Sequence, residues 1–259
     1  MQEQVATQIQ LLASAQLIRH PWMRFDKLFR FIVAADRATA VRANAVLLES
    51  IGQSVAIHLT KTSAFAFPCE QGLVVIVPFE VMRCALAPDN EMERQYGLTT
   101  VWHELAHVHA LTLQYYPDGL FQPILPKAVR GSTNQAWHEF FADKHSHWQG
   151  FVADLEVHLL RSAWHDVLTS PSEAIVDHFM VRLASTHGRM SANGFGSAMA
   201  TPRTCAAFES NDMVDRWRVC QSMLDDLCAQ AIQTGIAPDL TVLEASLGNV
   251  RAALPGPNL

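Results

Sequence analysis

Between residues 98 and 114, apolar side chains recur at steps of three and four: Val101, Leu105, Val108 and Leu111. No Pro or Gly interrupts the stretch. That period marks one face of a buried helix. The same period predicts a helix at the start of the chain, where Val5, Ile9, Leu12 and Ala15 step along one face until Pro21 breaks the run. A second helical run is expected from about Pro21 to Ser50, gathering Phe25, Leu28, Phe29 and Ile32 and leaving Arg24, Lys27 and Arg30 solvated. The pattern then changes to period two. Ser54 to Leu59 alternates, Ser63 to Phe67 is short and β-compatible, and Gly72 to Val77 is a continuous β-branched run ended by Pro78. Together these predict a small sheet of about three strands.

Further along, Phe79 to Leu86 reads as a short helix, Asp89 as an N-cap followed by Glu91 and Glu93, and Gly97 as a break before the helix at 98. Tyr115 to Gly119 reads as a turn and Pro123 to Gly131 as irregular chain, an insert that would border a cleft. Ser132, Thr133 and Asn134 offer caps for a helix expected to run past Gly150 to Leu168. Ser170-Pro171-Ser172-Glu173 has the form of a capping box with Pro at the first helical position, opening a helix to about Ser185. Residues 190–212 are rich in Ser, Gly, Ala and Asn and read as a loop; helices Asp212–Gln233 and Asp239–Ala253 close the chain. The fold class is α+β and predominantly helical.

Composition narrows the classes. The 259 residues are 49% hydrophobic with a net charge of −6, and no basic tract suggests nucleic-acid binding. No apolar run approaches the roughly 18 residues of a membrane span, and the N-terminus lacks a signal-peptide pattern. Five scattered cysteines without a C-x-x-C pair form neither a disulfide framework nor a zinc finger. A soluble, cytoplasmic protein without a membrane partner is expected.

The chemistry lies on the helix at 98–114, which carries His103-Glu104-Leu105-Ala106-His107. Histidines four apart on a helix share a face and can grip one metal ion, while Glu104 beside the first can accept a proton from activated water. With twelve histidines in the chain, chance would produce H-E-x-x-H in roughly one such sequence in forty, so the helical context carries much of the weight. A catalytic zinc takes three protein ligands. The best third is Glu139, on a predicted second helix, with His138, Asp143, His145 and His147 as neighbouring alternatives. Asp143, four residues after Glu139, can accept a hydrogen bond from the outward nitrogen of a ligand histidine.

H-E-x-x-H followed by a helical Glu139-x-x-Ala142-Asp143 resembles the gluzincin zinc metallopeptidases. The short interval from His103 to Glu139 is similar to that of IrrE/ImmA-like members. Upstream, Ala64-Phe65-Ala66 and Gly72 to Val77 resemble the strand region before the active helix in the Ste24/HtpX-like branch. The resemblance covers about residues 63–147. It implies a zincin-like catalytic core at 53–190. Pattern and length add a helical segment at 1–52 packed on that core and a loop and C-terminal helices at 191–259, all expected in one compact unit. The resemblance also implies one Zn2+ per chain on His103, His107 and Glu139, a peptide or protein substrate, and an edge strand that pairs with it. Either Ala64-Phe65-Ala66 or Leu73-Val74-Val75 could be that edge. A group that stabilises the oxyanion would come from downstream, where His165, His178, His187 and Arg189 are available; Thr186-His187-Gly188-Arg189 faintly resembles the His/Arg segment of Ste24-like enzymes. Three other readings use the same residues: a regulatory sensor with little turnover, a metal-dependent amidase or esterase, and a structural zinc site.

Overall fold

The computed structural model describes residues 2–34, 38, 41, 42, 45, 46, 64–122, 129–146, 153–208 and 210–254, with backbone alone at 2–6, 8, 153, 197 and 198. The fold is α+β and predominantly helical, with one three-stranded sheet among the described residues. Contacts divide the chain into two compact units, Met1–Ile124 and Leu125–Leu259.

In the first unit the order is α1 (Gln2–Arg19), β1 (Leu28–Ala34), β2 (Phe65–Cys69), β3 (Gly72–Pro78), α2 (Phe79–Leu86) and α3 (Glu91–Tyr115). The sheet order is β1-β3-β2. β3 pairs in parallel with β1, from Arg30 opposite Val74 to Ala34 opposite Pro78. It pairs antiparallel with β2, from Phe65 opposite Ile76 to Cys69 opposite Gly72. A central strand covered on both faces needs no polar alternation, which is why residues 72–77 are apolar throughout. Leu73, Val75 and Val77 pack with Val101, Trp102, Leu105, Val108 and Leu111 of α3. Val74 and Ile76 point the other way, toward Phe65, Phe67 and Cys69. Each such fully buried aliphatic side chain contributes about 1.5–3 kcal/mol.

The helix expected from Pro21 to Ser50 gives way to strand β1 over Leu28–Ala34. Phe31 and Val33 lie toward the α3 side of the sheet and Ile32 and Ala34 toward the other, a period of two. Aromatic and β-branched residues suit that pleat once β3 supplies a partner. The expected strand at 54–59 lies outside the described residues.

Asn90, not Asp89, caps α3; its side chain accepts from the Glu93 amide at 3.0 Å. Gly97 does not break the helix, which runs from Glu91 through Tyr115. A Cβ at Gly97 would lie 2.2 Å from the Ala85 nitrogen, so the glycine lets α2 seat against α3. At the other end, the Tyr116 hydroxyl bonds the carbonyls of Cys69 and Gly72, tying the β2–β3 hairpin to the end of α3.

The second unit holds α4 (Gly131–His145), α5 (Ala153–Thr169), α6 (Glu173–Ala192), α7 (Ser197–Cys205), α8 (Asn211–Thr234) and α9 (Thr241–Ala252). α4 starts at Gly131 with Arg130 in the capping position and no side-chain cap. Thr133 turns to Glu244 of α9 instead. α4 ends at His145 and α5 is a separate helix, where one long helix to Leu168 was expected. Ser172 rather than Ser170 caps α6, accepting from the Ile175 amide at 3.3 Å, and α6 extends past Ser185 to Ala192. Part of the expected loop at 190–212 is α7, which tolerates Pro202 within its short length. Phe140, Phe141, Phe179, Leu183, Trp217 and Leu224 are fully buried at the centre of this unit. Among the described residues no helix is long and apolar enough to cross a membrane. All five cysteines are free and buried.

Candidate metal centre

The Nε2 atoms of His103 and His107 face each other at 3.0 Å, with ring centroids 4.6 Å apart and planes nearly perpendicular. Their spacing on α3 places them one turn apart, and the Leu73, Val75 and Val77 face of the sheet fixes the rotation of the helix beneath them. Between the two histidines, Glu104 is only 3% exposed. A carboxylate buried that deeply is costly unless it is hydrogen-bonded or paired with a proton or a cation. One turn further, buried His109 accepts a hydrogen bond at Nδ1 from the Arg24 amide at 2.9 Å, and Trp22 meets its ring edge-on. Burial, with a smaller contribution from Arg24, lowers its pKa to about 4. Neutral His109 thus latches residues 22–24 onto the helix that carries the two histidines.

In the second unit Glu139 lies partly exposed on α4, and Asp143, four residues on, is fully buried. Asp143 accepts hydrogen bonds from Ser185 Oγ at 2.5 Å and Arg189 Nε at 3.1 Å, both on α6. Arg189 also donates through Nη1 to Glu156 Oε1 of α5 at 2.7 Å. Burial works against the charge on Arg189, but Asp143 and Glu156 outweigh it and raise its pKa. Glu156 further accepts from Thr186 Oγ1 at 3.1 Å and pairs with Arg182 at 3.6 Å.

His103, His107 and Glu139 form the one group of three potential ligands found among the described residues, with ligand atoms within 4.8 Å of one another. Two nitrogens bound tetrahedrally to one zinc at 2.0–2.1 Å stand about 3.3 Å apart, close to the 3.0 Å observed here. Two imidazoles and a carboxylate are also a ligand set that zinc accepts. The residues fit a divalent ion.

The remaining candidates stand in varied surroundings. His138 is buried, and its pKa falls to about 4 because desolvation outweighs the attraction of Glu139. His145 lies with Nε2 3.4 Å from Cys228 Sγ. His147 lies outside the described residues. His187 is fully buried, with Nε2 3.1 Å from Asp225 Oδ2, Nδ1 3.0 Å from Gln221 Nε2, and its ring stacked on Phe140. His165 and His178 are exposed. Of the two candidate edge strands, the segment 73–75 belongs to central β3, while Phe65 and Ala66 lie on β2, one of the two described edges. The sequence reading did not single out Ser185, Glu156 or His109; only the buried helical phase of Ser185 and His109 could have pointed to them.

No protein-family model matches the chain, and neither curated proteins nor solved structures give a significant match.

Proposed function

We propose that this chain is a zinc-dependent peptidase of gluzincin type, in which His103, His107 and Glu139 hold one zinc ion and Glu104 is the general base. The observation that carries the reading is the grouping of those three ligand atoms within 4.8 Å, with Glu104 adjoining His103 in sequence. When bound, zinc would supply Lewis-acid polarisation of a carbonyl and acidify a water molecule. Glu104 takes the proton released as water attacks the carbonyl carbon and delivers it to the departing amine nitrogen. Its burial serves that task, since a carboxylate shielded from bulk water keeps the proton it takes until the leaving group needs it. Asp143 is the proposed carboxylate partner of a ligand histidine, setting its tautomer. β2, at one described edge of the sheet, offers main-chain groups to an extended peptide, which favours a peptide over a small ester.

The test is metal content by elemental mass spectrometry of the parent and of Glu104→Gln, beside a panel of peptide, amide and ester substrates. About one zinc per chain is expected in both. Peptide hydrolysis should fall by about 10²–10⁴-fold in the variant. Turnover retained in Glu104→Gln would remove Glu104 from the chemistry. Activity on esters or non-peptide amides alone would make the protein a different metal hydrolase, and no zinc in the parent after zinc is restored would sink the reading.

A further inference from the structure

The helix presenting Glu139 is held by a set of contacts that the proposed chemistry does not use. Ser185, Gly188 and Arg189 stand at i, i+3 and i+4 on α6 and share one face of it. All three meet the same stretch of α4. Ser185 and Arg189 take one oxygen each of Asp143, at 2.5 Å and 3.1 Å. Gly188 lies so close to α4 that a Cβ there would be 2.4 Å from the Phe140 carbonyl oxygen and 3.1 Å from the Asp143 Cβ. The glycine brings the two helices near enough for the short Ser185 side chain to reach.

Arg189 does not end at Asp143. Its other donor goes to Glu156 at 2.7 Å, and Glu156 also pairs with Arg182. Two carboxylates and two guanidinium groups make an interior cluster whose formal charges cancel, tying α4, α5 and α6 together. A buried arginine spanning two carboxylates has a fixed planar fork, so it sets the direction of each carboxylate as well as its charge. Asp143 and Glu139 are four residues apart on α4 and share a face. Whatever fixes Asp143 also fixes the rotation of α4 that Glu139 depends on.

We propose that Arg189, with Ser185 and Gly188, positions the metal centre: it locks Asp143 and thereby presets α4 so that Glu139 faces the ion before metal arrives. This assignment rests on the metal-centre reading above. It takes Arg189 out of the pool of groups that could bind an oxyanion, because its guanidinium is already committed to Asp143 and Glu156. Groups of this kind commonly change metal affinity by about 10–100-fold when removed.

The test uses the full chain, with zinc affinity by chelator competition, the visible spectrum of the cobalt-loaded protein, and amide hydrogen exchange of α4 in the metal-free protein. Arg189→Lys keeps the charge but lacks the fork, and zinc binding should weaken about tenfold or more, with a changed cobalt spectrum and faster exchange across α4. Ser185→Ala leaves the ionic cluster intact and should weaken zinc by a smaller factor in the same direction. It decides the matter if Arg189→Lys does not fold. Parental affinity and spectrum in folded variants would overturn the assignment while leaving the metal site standing. A parent that binds neither zinc nor cobalt would remove both the site and the positioning role.

Discussion

Gly188 lies against Phe140 with no room for a methyl group: a Cβ on residue 188 would sit 2.4 Å from the Phe140 carbonyl oxygen. The contact is between two helices, α4 and α6, so a larger residue must push backbone rather than a flexible side chain. Alanine at 188 gains about 1 kcal/mol of helix propensity. Overpacking of this kind typically costs about 1–3 kcal/mol, and backbone contacts belong at the upper end. Gly188→Ala should therefore lower the urea midpoint of unfolding. Gly97→Ala, which would meet the Ala85 nitrogen at 2.2 Å, should do the same. A raised midpoint in either would show that the helices can slide apart freely.

Glu139→Ala tests the proposed third ligand through stability. Zinc at a hundred times its Kd stabilises a folded protein by about 2.7 kcal/mol. The parent should therefore melt at a higher temperature as zinc is added, and the variant should show little or none of that rise. An undiminished rise in Glu139→Ala would move the third ligand to another residue.

Tyr116→Phe removes a hydroxyl that serves two carbonyls, those of Cys69 and Gly72. Both acceptors belong to the β2–β3 hairpin, and Tyr116 is only 3% exposed. Leaving buried acceptors unmatched costs about 1–3 kcal/mol. Chemical denaturation of the variant should show a loss in that range, with an unchanged slope against denaturant. No loss would mean that water replaces the hydroxyl.

Burial raises the thiols of Cys205 and Cys228 to about 11 and that of Cys220 to about 12, from an ordinary 9.0. Raised folded values mean that the unfolded chain releases these protons first. The stability they contribute is complete below pH 9 and drains away as pH rises toward 11–12. The deeply buried Cys220 steepens the loss by about 1.4 kcal/mol per pH unit within its window, and the less enclosed Cys205 by less. Replacing Cys220 with Ala should flatten the decline of the urea midpoint above pH 9, whatever it does at pH 7. A slope identical to the parent's would show that Cys220 ionises in the folded state.

The candidate ligand residues were legible because their spacing is helical. His103 with His107, and Glu139 with Asp143, each stand four apart, and four residues is one turn. The central strand was legible because seven apolar, mostly β-branched residues suit a fully covered position. β1 was not, since a short run such as Leu28 to Ala34 fits either period until its partner is known. Caps missed by one or two residues where Asp89 adjoins Asn90 and where Ser170 competes with Ser172. The cluster around Asp143 joins residues 33 and 46 positions apart to Arg189, and no local period encodes such pairs. His109 and Arg24 meet across 85 positions for the same reason.

The parallel pairing of β1 with β3 also shapes how the chain must fold. β2 and β3 close locally through the turn at Glu70 and Gln71, whereas β1 pairs from about 45 residues upstream. Until it docks, one edge of the most apolar segment in the molecule is open, and a flat Val/Ile edge recruits strands from other chains. A form truncated beyond Ala34 should thus aggregate as it refolds, even with the histidines of α3 intact. The seven residues that read as helix in the sequence are a built-in guard against self-association.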